Sequence, residues 1–210
     1  MNPFLQLDRN LFILINERWH NALFDWLVPP LSDLQHFPLF WAVFVLPLVL
    51  FFGLKSSRNR RIILLFAVLI PGTNFLSSGV VKRMFWRPRP CASVQTISGT
   101  YEKVIPDERF LPTVTDPLSS SFPSSHSATW AAIAAFPLTI AKKRRRYLWL
   151  LLLAPLLVGY SRIYVGVHYP GDVLTGWLLG ALIGAGVGFL ARPFLPEKDI
   201  SIPEKQENLL

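Results

Sequence analysis

At 210 residues the chain has room for one domain. Its composition, 51% hydrophobic and 16% charged with a mean hydropathy of +0.38, excludes an ordinary soluble domain and indicates an integral membrane protein. A net charge of +8 would suit nucleic acid in a soluble chain, but here the basic residues flank apolar runs, so topology and anionic headgroups account for them and no nucleic-acid partner is expected.

The first ten residues lack a basic leader and a small-residue cleavage site, so no removable signal peptide is expected. Residues 11–31 are apolar but interrupted by Asn16, Glu17, Arg18, His20, Asn21 and Asp25, with Phe12, Trp19, Phe24 and Trp26 among them. That mixture predicts an amphipathic helix lying in the membrane interface. Length alone also permits a crossing, but Glu17 and Arg18 at mid-depth would cost several kcal/mol.

Apolar spans are expected at about 38–54, 62–81, 124–141, 147–164 and 172–194. Pro71-Gly72 predicts a kink in the second. Basic residues follow the first span (Lys55, Arg58, Arg60, Arg61) and the third (Lys142 to Arg146), which assigns that side to the cytoplasm. The opposite side then receives a long polar loop at 82–123 and a short turn at 165–171. The fifth span carries Gly176, Gly180, Gly184 and Gly188 at four-residue spacing, a stripe that lets a neighbouring helix of the same chain pack closely. Cys91 stands alone, so no intramolecular disulfide is available. The expected fold is an all-α integral-membrane bundle of about five transmembrane helices. It forms one domain over residues 1–210, with an N-terminal interfacial helix within 1–36 and a frayed cytoplasmic tail at 196–210.

Three clusters fall on the outer side. Lys82, Arg83, Arg87 and Arg89 place four cations within eight residues, beside Pro88 and Pro90, which hold the backbone direction. Pro123-Ser124-Ser125-His126 opens the third span. Ser124 is a plausible helix cap there, and a helix N-terminus is an anion cradle. Ser161-Arg162 precedes His168 and Asp172, which are four residues apart with Pro170-Gly171 starting a new helix between them. Asp172 can reach one ring nitrogen of His168 and leave the other free to attack or accept a proton. Taken singly, each cluster is compatible with lipid-headgroup contact, an ordinary helix start or a structural ion pair. Together, two histidines, an aspartate, several cations and a helix N-terminus match phosphoryl transfer. His20 and His36 match no motif and read as interface or loop residues.

In this order the residues resemble the type 2 phosphatidic acid phosphatase superfamily. Its motifs are Lys-x6-Arg-Pro, Pro-Ser-Gly-His and Ser-Arg-x5-His-x3-Asp. Lys82 with Arg89-Pro90, Pro123-Ser124 with His126, and Ser161-Arg162 with His168 and Asp172 match them, while Ser125 replaces the glycine. The resemblance implies that His168 is the nucleophile, forming a phosphohistidine, and that Asp172 orients it. It implies that His126 protonates the leaving oxygen and then activates water. Lys82, Arg89, Arg162 and Ser124, with the Ser125 amide, would hold the phosphoryl oxygens. No metal or other cofactor is implied.

The implied substrate is a lipid phosphate or pyrophosphate of the bacterial envelope, met at the periplasmic face of the inner membrane. Lipid A 1-phosphate comes first, and undecaprenyl pyrophosphate, phosphatidylglycerophosphate and phosphatidate are alternatives. Two rival readings are a non-catalytic binder or transporter of anionic lipids, which needs no histidine pair, and a vanadium-dependent haloperoxidase, whose family resembles soluble helical proteins.

Overall fold

The computed structural model describes residues 3–32, 38–53, 55–91, 94–95, 101–102, 119–141 and 145–195, and in them the apolar runs are helical. Helix α1 (Pro3–Ile13) continues into a π-helical turn, Leu14–Arg18. The chain breaks there, because Asn21 caps a new helix: its Oδ1 accepts from Phe24 N at 3.0 Å. Helix α2 is Ala22–Ser32. The single amphipathic helix expected over 11–31 is therefore two helices, the first starting at Pro3.

Helix α3 covers residues 38–53. Helix α4, Ser57–Met84, begins five residues before the expected start because Ser56 caps it, accepting from Asn59 N at 3.1 Å. Arg58, Arg60 and Arg61 thus belong to its first turns rather than to a connection. Pro71 removes one backbone donor, and the helix widens into π-helical turns over Phe75–Val81. Helix α5 is Ser125–Ile140, α6 covers residues 145–164, and α7 is Pro170–Ala191 with a last 3-10 turn, Arg192–Phe194. Val94–Gln95 and Tyr101–Glu102 form a two-residue antiparallel ladder, the sole extended pairing among the described residues. Most of the 82–123 loop, Lys142 to Arg144, His36 and the 196–210 tail lie outside the described residues.

Two of these helices, Ser57–Met84 and Pro170–Phe194, are long and apolar enough to cross a membrane; Trp149–Tyr164 is a shorter apolar helix. Leu64, Val68, Leu174, Leu178, Leu182 and Phe189 stand exposed on such helices, an exterior suited to lipid.

The centre of the fold is the contact between α5 and α7. A Cβ on Gly176 would lie 2.5 Å from the Ser124 carbonyl oxygen, and one on Gly180 or Gly184 would run into the carbonyls of Ala128 or Ala132. The glycine stripe therefore packs within the chain, as expected, and the two backbones touch directly. At the far end from the 165–169 turn, Leu69, Phe136, Ile140, Ala191 and Leu195 close the core. Helix α6 is tied to α7 by the Trp177 indole, which donates to Pro155 O at 2.9 Å.

The N-terminal helices are stapled to this frame by the polar residues that read as interfacial. Asn16 Nδ2 donates to Tyr164 O at 2.7 Å, and the Tyr164 hydroxyl donates to Asp25 Oδ1 at 2.6 Å. Glu17, Arg18, Trp19 and His20 remain exposed.

Candidate active site

The turn between α6 and α7 is shaped by its backbone. Gly166 adopts φ +79°, a conformation side chains rarely take. Val167 N and His168 N both donate to Arg162 O at 3.2 Å, which folds His168 back over the end of α6. Helix α7 then starts with Pro170 in its first turn and a capping box in which Asp172 Oδ2 accepts from Tyr169 N at 2.9 Å. His168 is 1% exposed and Asp172 0%, so both sit in a dry environment.

His168 Nδ1 faces Asp172 Oδ2 at 3.7 Å, longer than a hydrogen bond. The closer partner of Asp172 is Arg87, whose Nη1 donates to Oδ1 at 2.8 Å. Arg87 Nη2 donates to Asp8 Oδ2 at 2.7 Å, and its guanidinium stacks on the Tyr169 ring, 4.0 Å from the centroid.

The α5 N-terminus is laced to the same place. Ser124 N donates to the Asp172 carbonyl at 3.0 Å. The Ser124 hydroxyl caps α5, accepting from Ser127 N at 3.4 Å and from Ser127 Oγ at 2.9 Å. Ser125 Oγ pairs with Ser78 Oγ of α4 at 2.6 Å. His126, half-buried in the first turn of α5, is thereby carried to the end of the bundle that holds His168.

The Arg87-Pro88-Arg89-Pro90 run is fixed by a row of serines. Ser121 N donates to Arg87 O at 2.8 Å, Ser121 Oγ to Pro88 O at 3.2 Å, and Arg87 N to Ser120 Oγ at 3.1 Å. Arg89 Nη1 donates to Val167 O at 3.2 Å, which bolts the first cluster to the third, and Nη2 to Ser119 Oγ at 2.9 Å. Arg162 is buried and donates from Nη1 to Ser32 Oγ at 2.7 Å. Lys82 lies half-buried in the last turn of α4.

The electrostatics follow. Burial pushes the His168 imidazole well below its usual range, and the charges of Arg162, Arg89 and Lys82 push it further; a hydrogen bond with the Ser121 backbone opposes them. Burial and these charges both favour the uncharged imidazole, the form that carries a free lone pair. For Arg87, burial disfavours the charge, but Asp172 and Asp8 outweigh it and lift the guanidinium above its ordinary value. Among the described residues, no three His, Cys, Asp or Glu side chains are grouped as metal ligands.

All eight residues singled out in the sequence lie on three stretches of chain that hydrogen bonds join at one end of the bundle: Lys82, Arg89, Ser124, Ser125, His126, Arg162, His168 and Asp172. Sequence reasoning missed Asp8, Ser32 and Ser78, and it counted Arg87 among the cations without giving it a role.

The family model of the PAP2 superfamily matches residues 60–192, more than half the chain and all three clusters. The chain belongs to the PAP2 superfamily. This PAP2 chain is 27% identical over 188 residues to a lipid A 4'-phosphatase of Porphyromonas gingivalis, covering 88% of the chain and 72% of the relative. It is 40% identical to an undecaprenyl-diphosphatase of Sulfolobus acidocaldarius over 68 residues, and so spans about a third of that relative's length, 32%. Among solved structures, Aquifex aeolicus LpxE superposes with a TM-score of 0.56 at 26% identity, over 86% of this chain and 94% of that one. The fold is thus that of an all-helical PAP2 membrane protein.

Proposed function

We propose that this PAP2 phosphatase removes phosphate from a lipid phosphate or pyrophosphate of the bacterial envelope, with lipid A 1-phosphate as the first candidate substrate. The observation that carries the reading is the buried His168 ring, its Nδ1 3.7 Å from Asp172 Oδ2, with the cations Arg162, Arg89 and Lys82 acting on it. Membership of the superfamily and the phosphatase names of its relatives support it.

In the proposed first step, His168 Nε2 attacks phosphorus while the bond to the lipid oxygen breaks. His126 gives its proton to that oxygen. In the second step His126 takes a proton from water, whose oxygen attacks the phosphohistidine; the P–N bond breaks and inorganic phosphate leaves. Lys82, Arg89 and Arg162 neutralise the phosphoryl oxygens, and the α5 N-terminus, with Ser124 and the Ser125 amide, adds donors. Asp172 stabilises the positive charge that His168 gains on phosphorylation.

Orientation toward the periplasm at the inner membrane is supported by charge placement. Arg58, Arg60 and Arg61 start α4 and Arg192 ends α7, both remote from the turn that carries His168.

The test is phosphate release by the purified chain in detergent from lipid A, undecaprenyl pyrophosphate and phosphatidylglycerophosphate. Preferred turnover of lipid A is expected, resistant to chelator and inhibited by vanadate. Preference for either of the other two replaces the substrate, and no release from any returns the chain to an anionic-lipid binder. His168→Ala is expected to abolish release in a folded protein; near-native activity of that variant sinks the nucleophile assignment.

A further inference from the structure

We propose that Asp8, on the N-terminal helix, is a positioning residue of the active site that acts through Arg87 on Asp172. This rests on the reading of His168 as nucleophile. Asp8 is 13% exposed and makes two bonds into the site from its two oxygens. Oδ2 accepts from Arg87 Nη2 at 2.7 Å, and Oδ1 accepts from Gly171 N, in the first turn of α7, at 2.7 Å. Arg87 offers its other terminal nitrogen to Asp172 at 2.8 Å. One guanidinium fork therefore spans two carboxylates, each taking one tine.

The geometry has two consequences. The first is orientation. A guanidinium alone with a buried carboxylate prefers a two-pronged pair that uses both carboxylate oxygens. Asp8 occupies the second tine, so Arg87 binds only Oδ1 of Asp172, and Oδ2, which accepts from Tyr169 N at 2.9 Å, stays turned toward His168 Nδ1 at 3.7 Å. The second is charge. Arg87 would cancel Asp172 if it were its only partner. Shared with Asp8, it leaves the trio one negative charge, which favours the positive ring formed when His168 takes up phosphorus. The Tyr169 ring under the guanidinium keeps the fork flat between its partners.

The experiment uses the full chain in detergent with dioctanoyl phosphatidate, following phosphate release. Asp8→Asn keeps the shape and removes the charge. It is expected to lower kcat about ten- to a hundredfold with little change in KM, because Asp8 lies behind Asp172 rather than against substrate. Asp8→Glu should recover part of the loss, and Glu17→Gln, an exposed carboxylate just beyond the same helix, should change nothing. In an Arg87→Gln background, Asp8→Asn should add no further loss, since its path is already cut.

A readout independent of lipid is the titration of the His168 ring carbon by NMR, assigned by its disappearance in His168→Gln. The charged groups that act on that ring are Asp172 of α7, Arg162 of α6, Lys82 of α4 and Arg89 of the following segment; Arg87 stands behind Asp172, and His126 is carried to the same end of the bundle by the start of α5. Removing the Asp8 charge should move the midpoint to lower pH. Native kcat and an unmoved midpoint in Asp8→Asn overturn the inference, as do independent, multiplying losses in the double variant. An inactive His168→Ala beside a fully active Asp8→Asn sinks Asp8 alone, whereas an active His168→Ala sinks the nucleophile reading.

Discussion

Gly176→Ala tests whether the bare contact between α5 and α7 sets the site. The new Cβ would stand 2.5 Å from the Ser124 carbonyl oxygen and 3.0 Å from Ser127 Cβ. The first obstacle is backbone, so no rotamer change relieves it. Ordinary contact begins at 3.4 Å, so the two helices must part by about 1 Å at this layer. That motion acts directly on the bond from Ser124 N to Asp172 O, now 3.0 Å, and stretches it toward about 4 Å, beyond hydrogen bonding. Overpacking of this kind costs about 1–3 kcal/mol, against about 1 kcal/mol returned by replacing a helical glycine. A net loss of up to about 2 kcal/mol lowers Tm by up to about 8 °C in a chain of this size. Turnover falls more, by about a hundredfold, because His126 rides on α5 while His168 is held two residues before the start of α7. Gly186→Ala is the matched control: its Cβ meets nothing within 4 Å, and it gains the same helix propensity. Phosphate release and thermal unfolding in detergent read both variants. Wild-type turnover and Tm in Gly176→Ala would refute the reasoning.

Since burial and three cations hold His168 well below the usual imidazole value, the acid limb of kcat/KM is expected below about pH 6.5. The same shift makes stability fall as pH drops below about 6.5, where the unfolded chain binds a proton that the folded one refuses; thermal unfolding between pH 7 and 5 measures it. Ser125→Gly keeps the amide and loses only the bond to Ser78, so turnover should change by less than about tenfold, the worth of one hydrogen bond. Removing residues 1–32 takes away Asp8, Ser32 and Asp25, which bond Arg87, Arg162 and Tyr164, so turnover should collapse for short- and long-chain lipids alike. If only long-chain turnover falls, the N-terminal helices serve lipid entry instead.

What the sequence made legible was local. His168 and Asp172, Ser124 and His126, and Lys82 and Arg89 each sit within one helix turn or one short run, where spacing alone implies proximity. The glycine stripe of α7 is similarly periodic, and one helix face is all it needs. Asp8 was illegible because its partner Arg87 is 79 residues away, and an aspartate on a mixed helix looks the same whether it meets water or a guanidinium. The inward bonds of Asn16 and Asp25 to α6 were illegible for the same reason. The start of α4 was misplaced because hydropathy marks where a helix becomes apolar, whereas Ser56 caps it earlier. Burial is what was missing in each case. An aspartate at 0% exposure beside an imidazole whose charge burial disfavours requires a cation, since an isolated buried carboxylate is too costly to keep ionised. Of the four cations between 82 and 89, Lys82 and Arg89 act on His168 and Arg83 is exposed. Arg87 remains, and its second tine in turn calls for the carboxylate that Asp8 supplies.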